Sequence, residues 1–316
     1  MNFCKKTAIA ACLLAVAPFS QASAPFSQVE NPGFYHFKLG RYQITALSDG
    51  VSELPLDKLL INEPWGKIQH LAAINHLRNP ATTSVNAYMI NTGEKLIMID
   101  AGSGDFMGSH LGKVSQALKS AGYTPEQVDE IFITHLHPDH IGGLIENGNP
   151  VYKNATLWIE KKEADYWLNK DSELKADETE KPFFSQAVKA VEPYIKAGKV
   201  RFYSDSHPDS VITRITSEGH TPGHVFYKVT SDGASLVMVG DLLHVGDVQL
   251  EDPNVAIRFD TEPKRATETR IRFLKEFAVD GDLIAASHLA FPGVGYVIKA
   301  ESGYRWKPVS YGADIR

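Results

Sequence analysis

Four side chains of types that bind divalent metals fall within six residues, in the segment Thr134-His135-Leu136-His137-Pro138-Asp139-His140. The segment directly follows a predicted strand, Glu130–Thr134. In an extended segment alternate side chains point to the same side, so His135 and His137 can reach one ion. The proline that follows turns the chain and redirects Asp139 and His140. One loop can thus present two imidazoles to one ion and a carboxylate with an imidazole to a second ion, about 3.5–4 Å away.

Three more candidate ligands follow later apolar runs of the chain. His220 lies in Gly219-His220-Thr221-Pro222-Gly223-His224, where the glycines allow a close approach of the backbone to a site. Asp241 ends the run 236–240, and His288 ends the run 283–287. Each of these residues alone is more often a turn residue or a buried polar residue. Together with the first segment they indicate a site for two divalent metal ions.

Strands and helices must position these residues, and the sequence predicts both in mixed order. Two strands at Tyr35–Leu39 and Tyr42–Leu47 start the pattern, and Thr124-Pro125-Glu126-Gln127 predicts the start of a helix. Residues 55–80 have no clear period and predict an irregular arm with a helix near Lys67–Arg78. Mixed strands and helices of this kind are typical of a layered α/β domain with helices outside.

The first 24 residues have the features of a secretory signal peptide, and residues 25–316 are predicted to form a single domain. Lys5 and Lys6 precede a short apolar stretch, and Ala22-Ser23-Ala24 fits the cleavage pattern. The sequence therefore predicts a periplasmic or secreted protein. Both cysteines lie in the removed segment. Cys12 also fits a lipoprotein processing site, but the apolar run before it is about five residues, shorter than the usual 7–15.

The charge balance limits the class of partner. Removing the two lysines of the signal peptide changes the formal net charge from −6 to −8. An acidic surface argues against nucleic acid and anionic membranes as partners. The mature chain has no apolar run of the roughly 20 residues that cross a bilayer. It also lacks cysteine, which excludes a thiolate ligand or nucleophile.

The order of these motifs resembles the metallo-β-lactamase superfamily. Within it, Ile44–Gly50, Thr134–His140, Gly219–His224 and Ala285–His288 resemble the branch of methyl parathion hydrolase and its lactonase-like relatives. The resemblance implies an αββα sandwich and a homodimer. It also implies that one ion is held by His135, His137 and His220, that the other is held by Asp139, His140 and His288, and that Asp241 bridges them. Asp100, after a predicted strand, would orient ligand imidazoles by hydrogen bonds.

The expected chemistry is hydrolysis by a hydroxide between the two ions, because bound metal lowers the pKa of water to near neutrality. Asp139 or Asp241 would then pass a proton to the leaving group. Zinc suits these ligands, as do manganese, iron and cobalt. A metal-binding or ligand-binding exported protein without catalytic activity is the alternative from another class.

Several branches of the superfamily fit poorly. The cysteine-ligated β-lactamases are excluded because the mature chain has no cysteine. The chain has no obvious cationic cluster of the kind that binds glutathione in glyoxalase II. Nucleases favour a basic surface, whereas this chain is acidic. Neutral, apolar substrates remain: a lactone or an aryl or alkyl ester is preferred, and a phosphotriester is the alternative. By the resemblance, the pocket would be lined by aromatic and other residues, namely Phe106, Trp167, Phe183, Phe184, His244, Ile257 and Phe259. Three of these residues, His244, Ile257 and Phe259, differ from the methyl parathion hydrolase pattern. The differences favour a lactone or an ester as the substrate.

Overall fold

Two β-sheets organise the chain in the computed structural model, which describes residues 24, 26–27, 29, 31–203, 211–312 and 314. The predicted signal peptide lies outside the described residues apart from Ala24, and so do both cysteines. Residues Pro32–Arg316 form one compact unit. None of the helices in the described part of the chain is long and apolar enough to cross a membrane.

The first sheet has seven strands in the order β1-β2-β4-β5-β6-β9-β10. Their bounds are Phe34–Leu39 (β1), Tyr42–Leu54 (β2), Ala81–Asn91 (β4), Leu96–Ile99 (β5), Glu130–Ile133 (β6), Thr156–Glu160 (β9) and Val200–Tyr203 (β10). The first four are antiparallel, and β5, β6, β9 and β10 are parallel. Short pairs lie outside the large sheets: Leu60–Ile61 (β3) with Ala256–Ile257 (β14), and Ile145–Glu146 (β7) with Asn149–Pro150 (β8).

The second sheet has six strands in the order β11-β12-β13-β15-β16-β17. Their bounds are Ile212–Thr216 (β11), Val225–Ser231 (β12), Ala234–Met238 (β13), Leu283–Ala285 (β15), Val294–Lys299 (β16) and Tyr304–Pro308 (β17). A core cluster between the sheets joins Ile44 and Ile99 of the first sheet to Tyr227 and Met238 of the second. The two sheets therefore pack face to face, as a sandwich does.

Helices cover the outer faces of both sheets. Their bounds are Leu56–Leu59 (α1), Trp65–Ile74 (α2), Val114–Ser120 (α3), Pro138–Ile141 (α4), Lys161–Trp167 (α5), Lys170–Lys175 (α6), Lys181–Lys196 (α7), Gly246–Glu251 (α8) and Pro263–Asp280 (α9). Leu118 and Val191 pack with Ile131 on the outer face of the first sheet. Phe273 and Phe277 of α9 belong to the cluster that covers the second sheet. The four layers confirm the predicted αββα sandwich.

The structure differs from the predicted elements at several places. The arm of residues 55–80, predicted to be irregular with a helix near Lys67–Arg78, contains α1, β3 and α2, and α2 ends at Ile74. Thr124 caps only one 3-10 turn, Pro125–Gln127, instead of starting a longer helix. The 18-residue helix α9 was absent from the predicted elements, although Pro263 begins it and Gly281 ends it with a φ of 69°. A proline at the first position and a left-handed glycine after the last are standard helix boundaries.

Candidate metal centre

The loop after β6 carries four of the predicted ligands to the edge of the first sheet. His137 precedes α4, and Pro138 occupies its first position, where the missing N–H group of proline costs nothing. Asp139 and His140 lie within α4, so their side chains point in different directions from those of His135 and His137 in the preceding loop. Asp241 follows β13 and His288 follows β15, two parallel neighbours, so their side chains meet at one edge of the second sheet.

The structure brings the seven predicted ligands together in two groups. We call His135, His137, His220 and Asp241 the enclosed group, and Asp139, His140, Asp241 and His288 the pocket-facing group. Within each group the candidate ligand atoms all lie within 4.8 Å of one another. Asp241 belongs to both groups, as the bridging role requires.

In the enclosed group three imidazole nitrogens converge. His220 Nε2 lies 3.2 Å from His135 Nε2 and 3.0 Å from His137 Nδ1. His220 Nδ1 faces Asp260 at 2.8 Å, which leaves the Nε2 lone pair for the other side of the ring. Facing lone pairs repel one another unless a cation lies between them. The donor set therefore fits a divalent metal ion with nitrogen ligands.

Asp241 faces ligands of both groups. Its Oδ1 lies 2.9 Å from His140 Nε2, and its Oδ2 lies 3.3 Å from His220 Nε2 of the enclosed group. His288 Nε2 lies near both oxygens, 3.1 Å from Oδ1 and 3.2 Å from Oδ2. Asp139 Oδ2 lies 3.4 Å from His288 Nε2. His140 Nε2 and Asp241 Oδ1 are both buried and make no hydrogen bond to the described residues. Such unsatisfied buried atoms are costly, and a bound cation would satisfy them.

Burial and charge set the protonation of the ligands. Burial holds the pKa of His135 and that of His137 well below the usual value, so both rings are neutral and ready to bind a metal. Burial opposes protonation of His140 as well, but the nearby carboxylates of Asp241 and Asp139 raise its pKa well above the usual value. Against the effect of burial, hydrogen bonds and charges of Asp241 and Asp260 also raise the pKa of His220 to about 9, so metal binding displaces a proton at either group.

Three acceptors fix the orientation of the ligand rings. Asp100 Oδ2 accepts from His140 Nδ1 at 2.8 Å, Asp260 Oδ1 accepts from His220 Nδ1 at 2.8 Å, and the Ser84 carbonyl accepts from His288 Nδ1 at 2.9 Å. Asp100 also accepts from the backbone N–H and the hydroxyl of Thr134, at 2.8 Å each. Hydrogen bonds of this kind fix the tautomer that leaves Nε2 free for a metal. The contacts agree with the role predicted for Asp100.

Glu163 of α5 ties the two histidine-rich loops together. Its buried carboxylate accepts from Leu136 N at 2.9 Å, and from Thr221 Oγ1 and Gly223 N at 2.8 Å each. Burial raises the pKa of Glu163 to about 7, against the effect of these three donors. A side chain at Gly223 would collide with the backbone of Glu163, so only glycine allows this approach.

His224 and His244 surround Asp241 without belonging to either group. His224 Nε2 accepts from the backbone N–H of Asp241 at 3.1 Å, and its Nδ1 pairs with Ser217 Oγ at 2.8 Å, so it supports the bridge. His244 Nε2 lies 3.0 Å from Asp241 Oδ2, and its ring stacks on His288 with 5.1 Å between the ring centres. His244 therefore forms part of the wall beside both groups.

A cavity of about 190 Å³ opens onto the ligands. We call it the front cavity. Four of the predicted pocket residues line it, namely Phe106, Phe183, His244 and Phe259. The structure corrects the prediction for Trp167, Phe184 and Ile257, which are fully buried in the core and do not line this cavity. Trp167 instead packs its ring against His137, with 5.1 Å between the ring centres.

Sequence reasoning missed Asp260 and Glu163. They lie 40 residues from His220 and 27 residues from Leu136 along the chain, outside every histidine motif. Asp260 lies in a turn before α9, a usual place for an aspartate. Glu163 lies in the first turn of α5, where a glutamate is favourable for any helix. Neither position therefore carries a signal that separates a supporting role from an ordinary one.

Comparisons with known proteins agree with the site. The sequence profile of the metallo-beta-lactamase superfamily matches residues 81–288, which contain all seven ligands. The hydrolase AbOPH of the beta lactamase superfamily gives a TM-score of 0.85 at 35% identity, covering 90% of this chain and 100% of AbOPH. AidC, a dizinc quorum-quenching lactonase solved with the product N-hexanoyl-L-homoserine, gives a TM-score of 0.79 at 29% identity, covering 89% of this chain and 98% of AidC.

Curated sequences match over shorter segments. The probable metallo-hydrolase YqgX of Bacillus subtilis (strain 168) is 30% identical over 173 residues, or 53% of this chain and 70% of YqgX. Other curated relatives are matched over 53% to 63% of their length. The chain belongs to the metallo-beta-lactamase superfamily. It is a metal-dependent hydrolase of that superfamily, with lactonases among its structural neighbours.

Proposed function

We propose that the protein is a binuclear metallohydrolase that opens lactones or cleaves aryl and alkyl esters. The observation that carries the proposal is the position of Asp241 between the two ligand groups, with His140 near one carboxylate oxygen and His220 near the other, beside an aromatic cavity. Two bound divalent ions would activate water and polarise the substrate carbonyl. Zinc suits the imidazole and carboxylate ligands, and the same ligands also accept manganese, iron or cobalt.

The chain's own residues supply orientation and proton transfer. Asp100 and Asp260 fix the rings of His140 and His220, so that neither ligand must reorient during turnover. Asp139 is the most exposed of the ligands, with 15% of its side chain accessible, and it lines the front cavity. Its carboxylate is therefore better placed than that of Asp241 to return a proton to the leaving group.

The walls of the front cavity favour neutral, apolar substrates. Phe106, Phe183 and Phe259 supply aromatic faces, and the described lining contains no lysine or arginine. Apart from the metal ions themselves, the described lining therefore offers no cationic side chain that would pair with a charged phosphate or carboxylate group of a substrate. His244 and Phe259 also line the space beside Asp241, and we expect their rings to favour a flat ester or lactone over a phosphotriester with three substituents. AidC, a lactonase, supports the same preference by similarity.

A paired measurement on the chain from Pro25 tests this proposal: metal content, and hydrolysis rates on dihydrocoumarin, an acyl-homoserine lactone, phenyl acetate and methyl parathion. We expect about two metals per chain and the highest rates on a lactone or ester. Faster cleavage of methyl parathion would keep the metal site and reverse the substrate order. Bound metal with no turnover of any substrate would favour a binding protein.

Export and self-association are also part of the proposal. The signal-peptide features of residues 1–24 predict a mature periplasmic or secreted chain, and the resemblance implies a homodimer. Mass spectrometry of the protein from the periplasm and light scattering test both. An intact N-terminus would reject processing at Ala24, and a mass of one chain in solution would reject the dimer.

A further inference from the structure

Asp49 is a fully buried aspartate that belongs to neither ligand group. It lies at a bulge of β2, where the register with β4 shifts between Ser48 and Gly50 and leaves Asp49 without a partner residue on β4. A bulge of this kind redirects a side chain. Gly50 has a φ of 127°, and a Cβ atom there would lie 2.1 Å from the carbonyl oxygen of His110. The bulge therefore allows another segment to pack closely against it.

That segment is residues 103–114, in the connection between β5 and α3, and we call it the clamped loop. At one end, Asp49 Oδ2 accepts from the backbone N–H and the hydroxyl of Ser103, at 2.9 Å and 2.7 Å. At the other end, Asp49 Oδ1 accepts from Val114 N at 3.2 Å, and the Asp49 carbonyl accepts from Lys113 N at 3.2 Å. One residue thus holds both ends of the loop, and three hydrogen bonds satisfy its buried carboxylate.

The middle of the clamped loop forms part of the substrate cavity. Phe106 and Met107 both line the front cavity, and Met107 is 43% exposed. The described backbone hydrogen bonds of this stretch stay within the loop: Phe106 N donates to Ser103 O at 3.0 Å, and Leu111 N donates to Gly108 O at 3.3 Å. The position of this cavity wall therefore depends on how the two ends of the loop are held.

We propose that Asp49 is a positioning residue for substrate binding, which holds the clamped loop so that Phe106 and Met107 form one wall of the front cavity. The inference rests on the proposed function, because the wall matters only for a substrate that enters this cavity. Asp49 itself does not line the cavity. Its removal should therefore weaken substrate binding through the loop and leave the metal ions in place.

Hydrogen exchange reports on the loop without any substrate. Asp49→Asn keeps the size of the side chain, but the amide accepts at one end of the loop and turns a donor toward the other. Amide exchange across residues 103–114 should become at least about tenfold faster, with α9 unchanged. Ser103→Ala removes one of the three hydrogen bonds and should give a smaller increase. Asp129→Asn is the matched control, because Asp129 Oδ2 accepts from Leu96 N at 2.8 Å and does not line the front cavity.

Kinetics of the metal-loaded chain separate KM from kcat. In Asp49→Asn, KM for 2-naphthyl acetate should rise about two- to tenfold, the range that one aromatic contact contributes, with kcat and metal content little changed. Phe106→Ala should raise KM to a similar extent. Because Asp49 acts through the loop that carries Phe106, KM of the double variant should lie within about twofold of that of Phe106→Ala alone. A residue that only stabilises the fold would lower the folded fraction and leave KM unchanged.

Binding of 2-naphthol to the zinc-loaded protein, measured by calorimetry, gives the same comparison without turnover. Kd should rise about two- to tenfold in Asp49→Asn and stay unchanged in Asp129→Asn. Unchanged exchange of the clamped loop, loss of bound metal, or faster exchange with Kd and KM unchanged would each overturn the positioning role. Faster exchange with weaker naphthol binding in Asp49→Asn, and no ester cleaved by the unmodified protein, would keep the positioning role and reject the proposed hydrolysis. An unmodified protein that neither binds naphthol nor cleaves an ester would overturn both.

Discussion

The enclosed and pocket-facing groups share Asp241 but differ in their surroundings. All four ligands of the enclosed group are buried, whereas Asp139 of the pocket-facing group is partly accessible. His137 packs against the rings of Trp167 and Phe183, with ring centres 5.1 Å and 5.3 Å away. A metal ion bound by a tightly packed side chain is released slowly, because the surrounding side chains must move before the ligand can leave the ion.

The difference extends to the contacts behind the ligands. The enclosed group is fixed by Asp260 on His220 and by the triple contact of Glu163 with the two loops. The pocket-facing group is fixed by Asp100 and by a backbone carbonyl. We infer that the enclosed position retains its ion more tightly. The pocket-facing position is more open to substrate, because three of its ligands line the front cavity and two of the enclosed group do.

The largest expected effect comes from a substitution that affects both metal positions at once. Asp241→Ala removes the carboxylate that both groups share, so both positions should weaken together. Metal content should fall below one per chain, and kcat/KM should fall by more than the ~10–100-fold typical for residues that only support a ligand. Mass spectrometry and steady-state kinetics measure these changes. Asp165→Ala, at an exposed aspartate of α5, is the control, and one position left fully occupied in Asp241→Ala would contradict the bridge.

The ligands were predictable because their spacing is local, whereas their supports were not. His135 to His140 form one contiguous motif, and Asp241 and His288 each end an apolar strand. Asp260 and Glu163 reach the site only through the folded arrangement of distant segments. The sandwich followed from the mixed strands and helices together with the family resemblance. The face that each aromatic residue presents depends on helix rotation, which is why Trp167 packs behind His137 and Phe183 lines the cavity.

A matched pair of isosteric changes sharpens the comparison. Asp260→Asn and Asp100→Asn each replace an acceptor oxygen that holds a ligand imidazole, His220 in the first case and His140 in the second. Each should weaken metal binding about 10–100-fold, but at different positions. Chelator competition with cobalt-loaded protein should resolve a tight and a weak ion, with Asp260→Asn affecting the tight one and Asp100→Asn the weak one.

The pair also has its own controls. Asp260 lies 3.7 Å from the buried Arg270, so Asp260→Asn can reduce stability as well as metal affinity. Unfolding of the metal-free variants measures that part separately. If both variants weaken the same ion to the same extent, the two positions are not held independently and the comparison fails.

A smaller effect is expected from Glu163→Gln. The amide retains one acceptor oxygen but turns a donor toward at least one of the groups that Glu163 now accepts from, Leu136 N or the Thr221–Gly223 segment. The affinity of the enclosed position should fall about tenfold, with the pocket-facing position little affected. Cobalt spectra and chelator competition measure this. Thr221→Val removes one of the three contacts and should give a smaller shift in the same direction. Equal loss at both positions would point to general unfolding of the loops.

The smallest expected effect concerns the cavity and leaves the metals in place. Phe183 lines the front cavity and also contacts the ring of His137 edge-on. Phe183→Ala should raise KM for aromatic esters about two- to tenfold, the range that one aromatic contact contributes, with little change in kcat. Phe202→Ala, at a half-exposed phenylalanine of β10 that does not line the front cavity, is the matched control. A fall in kcat with slower binding of the enclosed metal would instead show that Phe183 acts mainly by holding His137, and that the enclosed group depends on the cavity wall.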